Sequence, residues 1–280
     1  ILAATTQVVV EDLYRPYRPK RRTRATIAKE KGLEGLANII YMQLTNAPIT
    51  EEAKAYLSEE KEVHTIEEAI QGAKDILAET ISDEADYRMH IREMTVRDGI
   101  ITSTAKDEET QSVYEMYYSF EEKINKIAGH RVLALNRGEK EKILTVKVEA
   151  PEEQILAYLE KHIIRKENPH TKDILKDTIA DSYSRLIAPA IEREIRSDLT
   201  EKAEDGAIKV FGKNLEQLLM QPPIVGQVVL GWDPAFRTGC KLAVVDATGK
   251  VLDTTVIYPT EPQNKVEQAK KVVKELRIKS

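Results

Sequence analysis

"MQPPIVGQVVLGWDPAFRTGCKLAVVDATGKVLDTTVIYP" (Met220–Pro259) is where the chain changes its period. Ahead of it, apolar residues recur at three- and four-residue spacing; beyond it they come in short β-rich runs. Pro222 and Pro223 end the helical part, because proline has no N–H to donate and cannot continue a helix. "QVVLGWDPAFRTG" reads as a short apolar strand that ends in a turn. "CKLAVVD" and "VLDTTVIYP" are two further strands, joined by Ala247, Thr248, Gly249 and Lys250. A helix is predicted from about Lys265, so the C-terminal order is strand, strand, strand, helix.

Upstream the pattern is helical. A first helix is expected from Thr26, closed by Gly32, and Leu33, Leu36, Ala37, Ile40 and Leu44 then mark one face of a second. "TIEEAI" places Thr65 as N-cap and Glu68 three residues on, a capping box ahead of Ala69, Ala73, Ile76 and Leu77. Another helix should run from about Asp83 toward Arg97, with Gly99 just past its end. The polar stretch Gly99 to Glu109 reads as a loop or short strand, and Gln111 to Arg131 as a helix. Alternation of Ile143, Thr145 and Lys147 with Leu144, Val146 and Val148 predicts a strand, after which Pro151 opens a helix. From "NPHT" (Asn168–Thr171) the helical period runs to Leu219, with Pro189 expected to kink or divide it and Gly206 and Gly212 to weaken it.

The fold class that follows is mostly α, a multi-helix core with a partial α/β domain at the C-terminal end. Composition agrees: of 280 residues, 32% are charged, 41% hydrophobic and only 5% aromatic, a mix that favours helices. No internal repeat appears at solenoid periods. No secretory signal is visible, and no apolar run approaches the roughly 18 residues that a membrane helix needs. Cys240 is the one cysteine, which excludes an internal disulfide and a Cys-based zinc site. A cytoplasmic protein without a membrane partner is expected. A start on Ile1 and a stop inside an amphipathic stretch suggest a segment of something longer.

Charge is unevenly spread. The net charge is -5, yet "YRPYRPKRRTRATIAKEKG" (Tyr14–Gly32) carries eight Lys or Arg against one acid, Glu30. Arg15, Arg18, Lys20, Arg21, Arg22 and Arg24 are interleaved with Tyr14, Pro16, Tyr17 and Pro19. The prolines favour an extended backbone before Thr23, from which the side chains fan outward. Guanidinium forks pair bidentately with phosphate, and tyrosines stack on unpaired bases, so these six residues are the candidate nucleic-acid contacts. The same forks fit carboxylates equally well, which makes an intramolecular strap onto the acidic helices the competing reading.

For catalysis the sharpest candidate is Asp233. A carboxylate at the end of a first strand, followed by a turn into an antiparallel hairpin, is where a two-metal nuclease of the RNase H type holds its first Mg²⁺ ligand. A turn-forming Asp-Pro explains it as well. Two-metal chemistry needs several converging carboxylates, and Asp246 and Asp253 are expected near the hairpin turn, remote from Asp233. "ATGKVLD" lacks the phosphate-loop glycine, with Val244 five residues before Gly249. His64, His90, His130, His162 and His170 form no metal-binding spacing. No cofactor is implied.

Two stretches together resemble one family. "LYRPYRPKRRTRATIAKEKGLEGLA" (Leu13–Ala37) is similar to the signature of the bacterial transcription accessory protein family, Tex. "GWDPAFRTGCKLAVVDATGKVLDTTVIYP" (Gly231–Pro259) resembles the start of its YqgF domain, related to RuvC resolvase and RNase H. The resemblance implies a cytoplasmic, nucleic-acid-associated protein of transcription, with RNA polymerase or other transcription machinery as a partner and with helix-turn-helix character in its N-terminal region. It divides the chain into residues 1–90, the latter part of the N-terminal helical region; 91–222, the helical core with a small β element; and 223–280, a partial YqgF domain. The modules most directly credited with RNA and DNA binding would lie beyond Ser280. The family is not regarded as an active nuclease, and Asp233 would then be a vestigial metal-ligand position. One departure is Ala235, where Asp-Pro-Gly is often found; a Cβ there restricts positive φ and close approach of a substrate. The implied role is a non-catalytic scaffold, and the competing one a metal-dependent nuclease completed by strands outside this sequence.

Overall fold

A computed structural model describes residues 4, 6–19, 21–222 and 224–279, with side chains to 276. The described structure forms two compact units, 1–209 and 210–280.

The first unit opens with α1 (Gln7–Tyr14), α2 (Arg24–Glu30), α3 (Glu34–Met42), α4 (Ile49–Lys54), α5 (Ile66–Asp83) and α6 (Ala85–Asp98). Gly32, at φ +81°, closes α2 as expected. Its N–H donates to Lys29 O and the next, from Leu33, to Ala28 O, so the last carbonyls of α2 are satisfied by a left-handed turn that a Cβ would strain. The capping box at α5 is present: Thr65 Oγ1 accepts from Glu68 N at 3.1 Å, and Glu68 Oε2 accepts from Thr65 N at 3.2 Å. At Gly72 α5 passes so close to Leu33 and Ala28 that a Cβ would overlap the Leu33 side chain. The apolar stripe Ala69, Ala73, Ile76 and Leu77 faces the same core as Leu36, Ala37 and Ile40.

A small antiparallel sheet follows, ordered β2-β1-β3, from β1 (Ile100–Ala105), β2 (Ser119–Lys123) and β3 (Leu144–Glu149). α7 (Gly129–Lys140) packs on it, with Leu135 against Ile101, Leu144, Val146, Tyr114 and Tyr117. The helix expected over Gln111–Arg131 is not formed. Instead Glu115–Tyr117 is a single 3-10 turn, Ser119–Lys123 is a strand, and helix resumes at Gly129. The apolar residues of this stretch are aromatic, and Tyr114 and Tyr117 are buried against the sheet, so pairing with β1 overrides local helical spacing.

α8 (Glu152–Ile163) begins directly after Pro151, and α9 (Lys172–Asp181) runs into a π-helical turn at Ser182–Ile187 and then α10 (Ala188–Leu219). The expected interruption at Pro189 is this wider turn. Proline cannot donate one turn back and its ring crowds the carbonyl there, and one extra residue per turn absorbs both. α10 passes through Gly206 and Gly212 without breaking.

The second unit contains β4 (Val229–Asp233), β5 (Cys240–Val245) and β6 (Val251–Ile257), an antiparallel sheet in the order β4-β5-β6, with α11 (Val266–Lys279) after it. Cys240, Leu242, Val244 and Ile257 of the sheet pack with Ala269 and Leu276 of α11. The strand, strand, strand, helix order is the one read from the sequence.

Candidate nucleic-acid interface

The basic segment does not leave α1 as an extended arm. Arg15–Tyr17 is a 3-10 turn continuing α1, and only at Arg18, with ψ 130°, does the backbone extend into Pro19. Pro16 suits the first position of a helical turn as well as an extended strand, and here the turn prevails. Lys20 lies outside the described residues. Thr23 then caps α2, its Oγ1 accepting from Thr26 N at 3.1 Å and lying 2.8 Å from Glu79 Oε2 of α5, to which the hydroxyl donates.

The arginines divide by environment. Arg15 is half-buried, whereas Arg18, Arg21, Arg22 and Arg24 are exposed. Arg22 pairs with Glu30 at 3.2 Å, on the solvent side. Arg15, Arg18, Arg21 and Arg24 line a cleft of about 550 Å³ whose opposite wall is α5, with Asp75, Glu79 and Asp83 one turn apart. Tyr14 and Tyr17 are exposed, Tyr17 at 78%.

Behind this segment lies a buried ionic ring that sequence reasoning missed. Asp12 of α1 accepts from Arg88 Nε and Arg92 Nη2, both at 2.6 Å. Glu194 of α10 accepts from the same two arginines, at 2.6 Å from Arg88 Nη2 and 2.7 Å from Arg92 Nη2. Two arginines and two carboxylates balance, and Asp12 and Arg88 are sealed from solvent. Burial alone pulls Arg92 down, yet hydrogen bonds to Asp12 and Glu194 together raise it above the usual arginine range. Arg15, beside the ring, goes the other way: burial and then the Arg88 charge lower it, against Asp12, Asp83 and Glu194.

The expected strap of these arginines onto core acids is not seen among the described residues, where Arg22 alone forms an ion pair and does so with Glu30 of its own segment; the tie to the core has the opposite polarity. An acid on α1 is clamped by core arginines, and the charge of Arg15 adds to the same centre. The signal was available: in α6, Arg88 shares the buried stripe with Ala85, Ile91 and Thr95, and a charge on an apolar face calls for partners.

In the second unit Asp233 ends β4 opposite Lys241, whose Nζ is 3.9 Å from Asp233 Oδ2, with the carboxylate side chain 72% exposed. Ala235 has no positive φ, so this turn accommodates its Cβ. Asp246 is occupied in the β5–β6 turn, accepting from Thr248 N at 2.8 Å and Lys250 N at 3.0 Å. Asp253 sits opposite Val244, three rungs along β5 from Lys241. Among the described residues no three Asp, Glu, His or Cys side chains gather as a metal site would require. No helix among them is long and apolar enough to cross a membrane.

Comparison with known proteins places these features. Residues 45–211 match the Tex central region, and 227–280 the YqgF-like domain of Tex proteins. The chain belongs to the Tex family. It is 56% identical over 270 residues to the uncharacterized protein YdcI of Bacillus subtilis, covering 95% of this chain and 38% of that one. To the transcriptional accessory protein Tex of Neisseria gonorrhoeae it is 33% identical, over 100% of this chain and 37% of the relative. The human S1 RNA-binding domain-containing protein 1 is 31% identical over 89% of this chain and 26% of its own length. The chain thus spans little more than a third of its bacterial relatives.

Proposed function

We propose that this chain is a non-catalytic scaffold segment of a longer, cytoplasmic transcription accessory protein that associates with RNA or DNA and meets the transcription machinery, RNA polymerase included. Membership of the Tex family supports the association, and the name of the human relative points to RNA. The observation that carries it is the arginine segment: in a chain of net charge -5, Arg18, Arg21 and Arg24 stand exposed around one cleft, and Tyr14 and Tyr17 of the same segment are exposed. Such a surface offers charge to phosphates and flat rings to unpaired bases. Gel-shift measurements at low salt, on this chain and on the full-length protein, test the reading. A shift by either supports it; none by both refutes it.

A nuclease is the second reading, favoured by Asp233 at the strand end where an RNase H fold presents a metal ligand. It requires Mg²⁺- or Mn²⁺-dependent cleavage by the full-length protein that Asp233→Asn abolishes. Equal products from both proteins would remove it.

A further inference from the structure

Donors are left over where the basic segment meets the core. Arg15 Nε and Arg88 Nη1 are both buried with no hydrogen-bond partner. Buried polar groups are almost always paired, and leaving a charged donor unpaired is costly. Both belong to cations whose like charges oppose each other.

Arg15 borders the cleft of about 550 Å³ together with Arg18, Arg21 and Arg24. The side chains of Arg18 and Arg21 make no hydrogen bond or ion pair with any described residue. The acids of the facing wall are engaged already. Glu79 takes the Thr23 hydroxyl at 2.8 Å, and Asp75 lies 3.5 Å from Arg185 Nη2, itself held by Asp181. The surplus is therefore of N–H donors, on planar forks that the single stretch 15–24 gathers around the cleft.

We propose that this cleft is an oxyanion site for a phosphate group, with half-buried Arg15 at its inner side and Arg18, Arg21 and Arg24 closing over the ligand. A phosphate offers several strong acceptor oxygens and a negative charge, which answers the orphaned Arg15 Nε at the cleft's inner side and the unengaged forks of Arg18 and Arg21. Its source is either a nucleic-acid backbone or a free phosphate compound; only the first rests on the function proposed above.

The test follows thermal unfolding of the chain as inorganic phosphate replaces KCl at constant ionic strength, then binding of a fluorescein-labelled single-stranded oligonucleotide. The cleft variant is R18Q/R21Q, which breaks no described interaction; the control is R22Q, an exposed arginine outside the cleft that loses only its solvent-side pair with Glu30. A saturable rise in melting temperature is expected for wild type and R22Q, with phosphate affinity lowered about tenfold or more in R18Q/R21Q. No saturable rise in wild type, or equal losses in both variants, overturns the site. Displacement of the oligonucleotide by phosphate assigns the site to a backbone. Phosphate binding without oligonucleotide binding assigns it to a free phosphate and counts against the nucleic-acid reading alone.

Discussion

Arg88 donates through Nε to Asp12 at 2.6 Å across 76 positions of sequence, with both side chains shut away from water. Glu194 and Arg92 close the ring, so α1, α6 and α10 are joined by one set of charges. Such a ring gains little over an apolar core of equal volume, but losing one member leaves the others charged and unpaired. Asp12→Ala is therefore expected to destabilise the chain by about 3–5 kcal/mol in urea unfolding. A change under about 1 kcal/mol would mean that the ring does not hold α1 to the core.

Gln43 ties another pair of distant loops. It is buried at φ +57°, donates through Nε2 to Ile163 O at 2.8 Å, and accepts through Oε1 from Arg165 N and Lys166 N at 3.0 Å. Ile163 O is the last carbonyl of α8, where helix carbonyls lack a helical partner, and Arg165 N and Lys166 N lie just past the helix end. Gln43→Ala strands them, and a loss of about 2–4 kcal/mol is expected from thermal unfolding. A fall within experimental error would show that solvent replaces the amide freely.

Acid should weaken the first unit in a defined way. Hydrogen bonding from Arg196 holds Glu139 below the usual carboxylate range, and Arg185 does the same for Asp181. Both are lowered on folding, so their stabilising effect is complete above the unfolded values, 4.5 for Glu and 3.8 for Asp, and is lost as pH falls through the lower folded values. Melting temperature measured from about pH 6 to about pH 3 should therefore drop less steeply in Glu139→Gln and Asp181→Asn than in wild type. Parallel curves would contradict the assignment.

Much of this was legible beforehand. Proline pairs, alternation and the capping box at Thr65 gave the helical body and the β4–β6 unit, because these signals are local. The stretch Gln111–Arg131 misled because its spacing is helical while Tyr114 and Tyr117 belong to a sheet core built from β1 and β3. The ionic ring was hidden for the same reason, since its members lie up to 182 positions apart in sequence, from Asp12 to Glu194. The candidate arginines were visible as a charge run; that Arg22 turns away to Glu30 while Arg15 sinks toward Arg88 was not.

Tyr14 and Tyr17 give the base-stacking part of the proposal its own test. Replacing both by Ala should weaken binding to single-stranded oligonucleotides by about 1–3 kcal/mol per stacked base, with the melting temperature nearly unchanged because both rings are exposed. Equal affinities would leave the arginines as the whole interface.

The most direct measurement is the affinity of this chain for a single-stranded oligonucleotide across a salt series, by fluorescence anisotropy, for wild type and R18Q/R21Q/R24Q. Wild type should bind at low salt with log K falling linearly in log salt, and the variant slope should be shallower by roughly 2, about 0.7 for each phosphate no longer neutralised. Identical slopes, or no binding by this chain even at low salt, would contradict the arginine segment as the nucleic-acid contact.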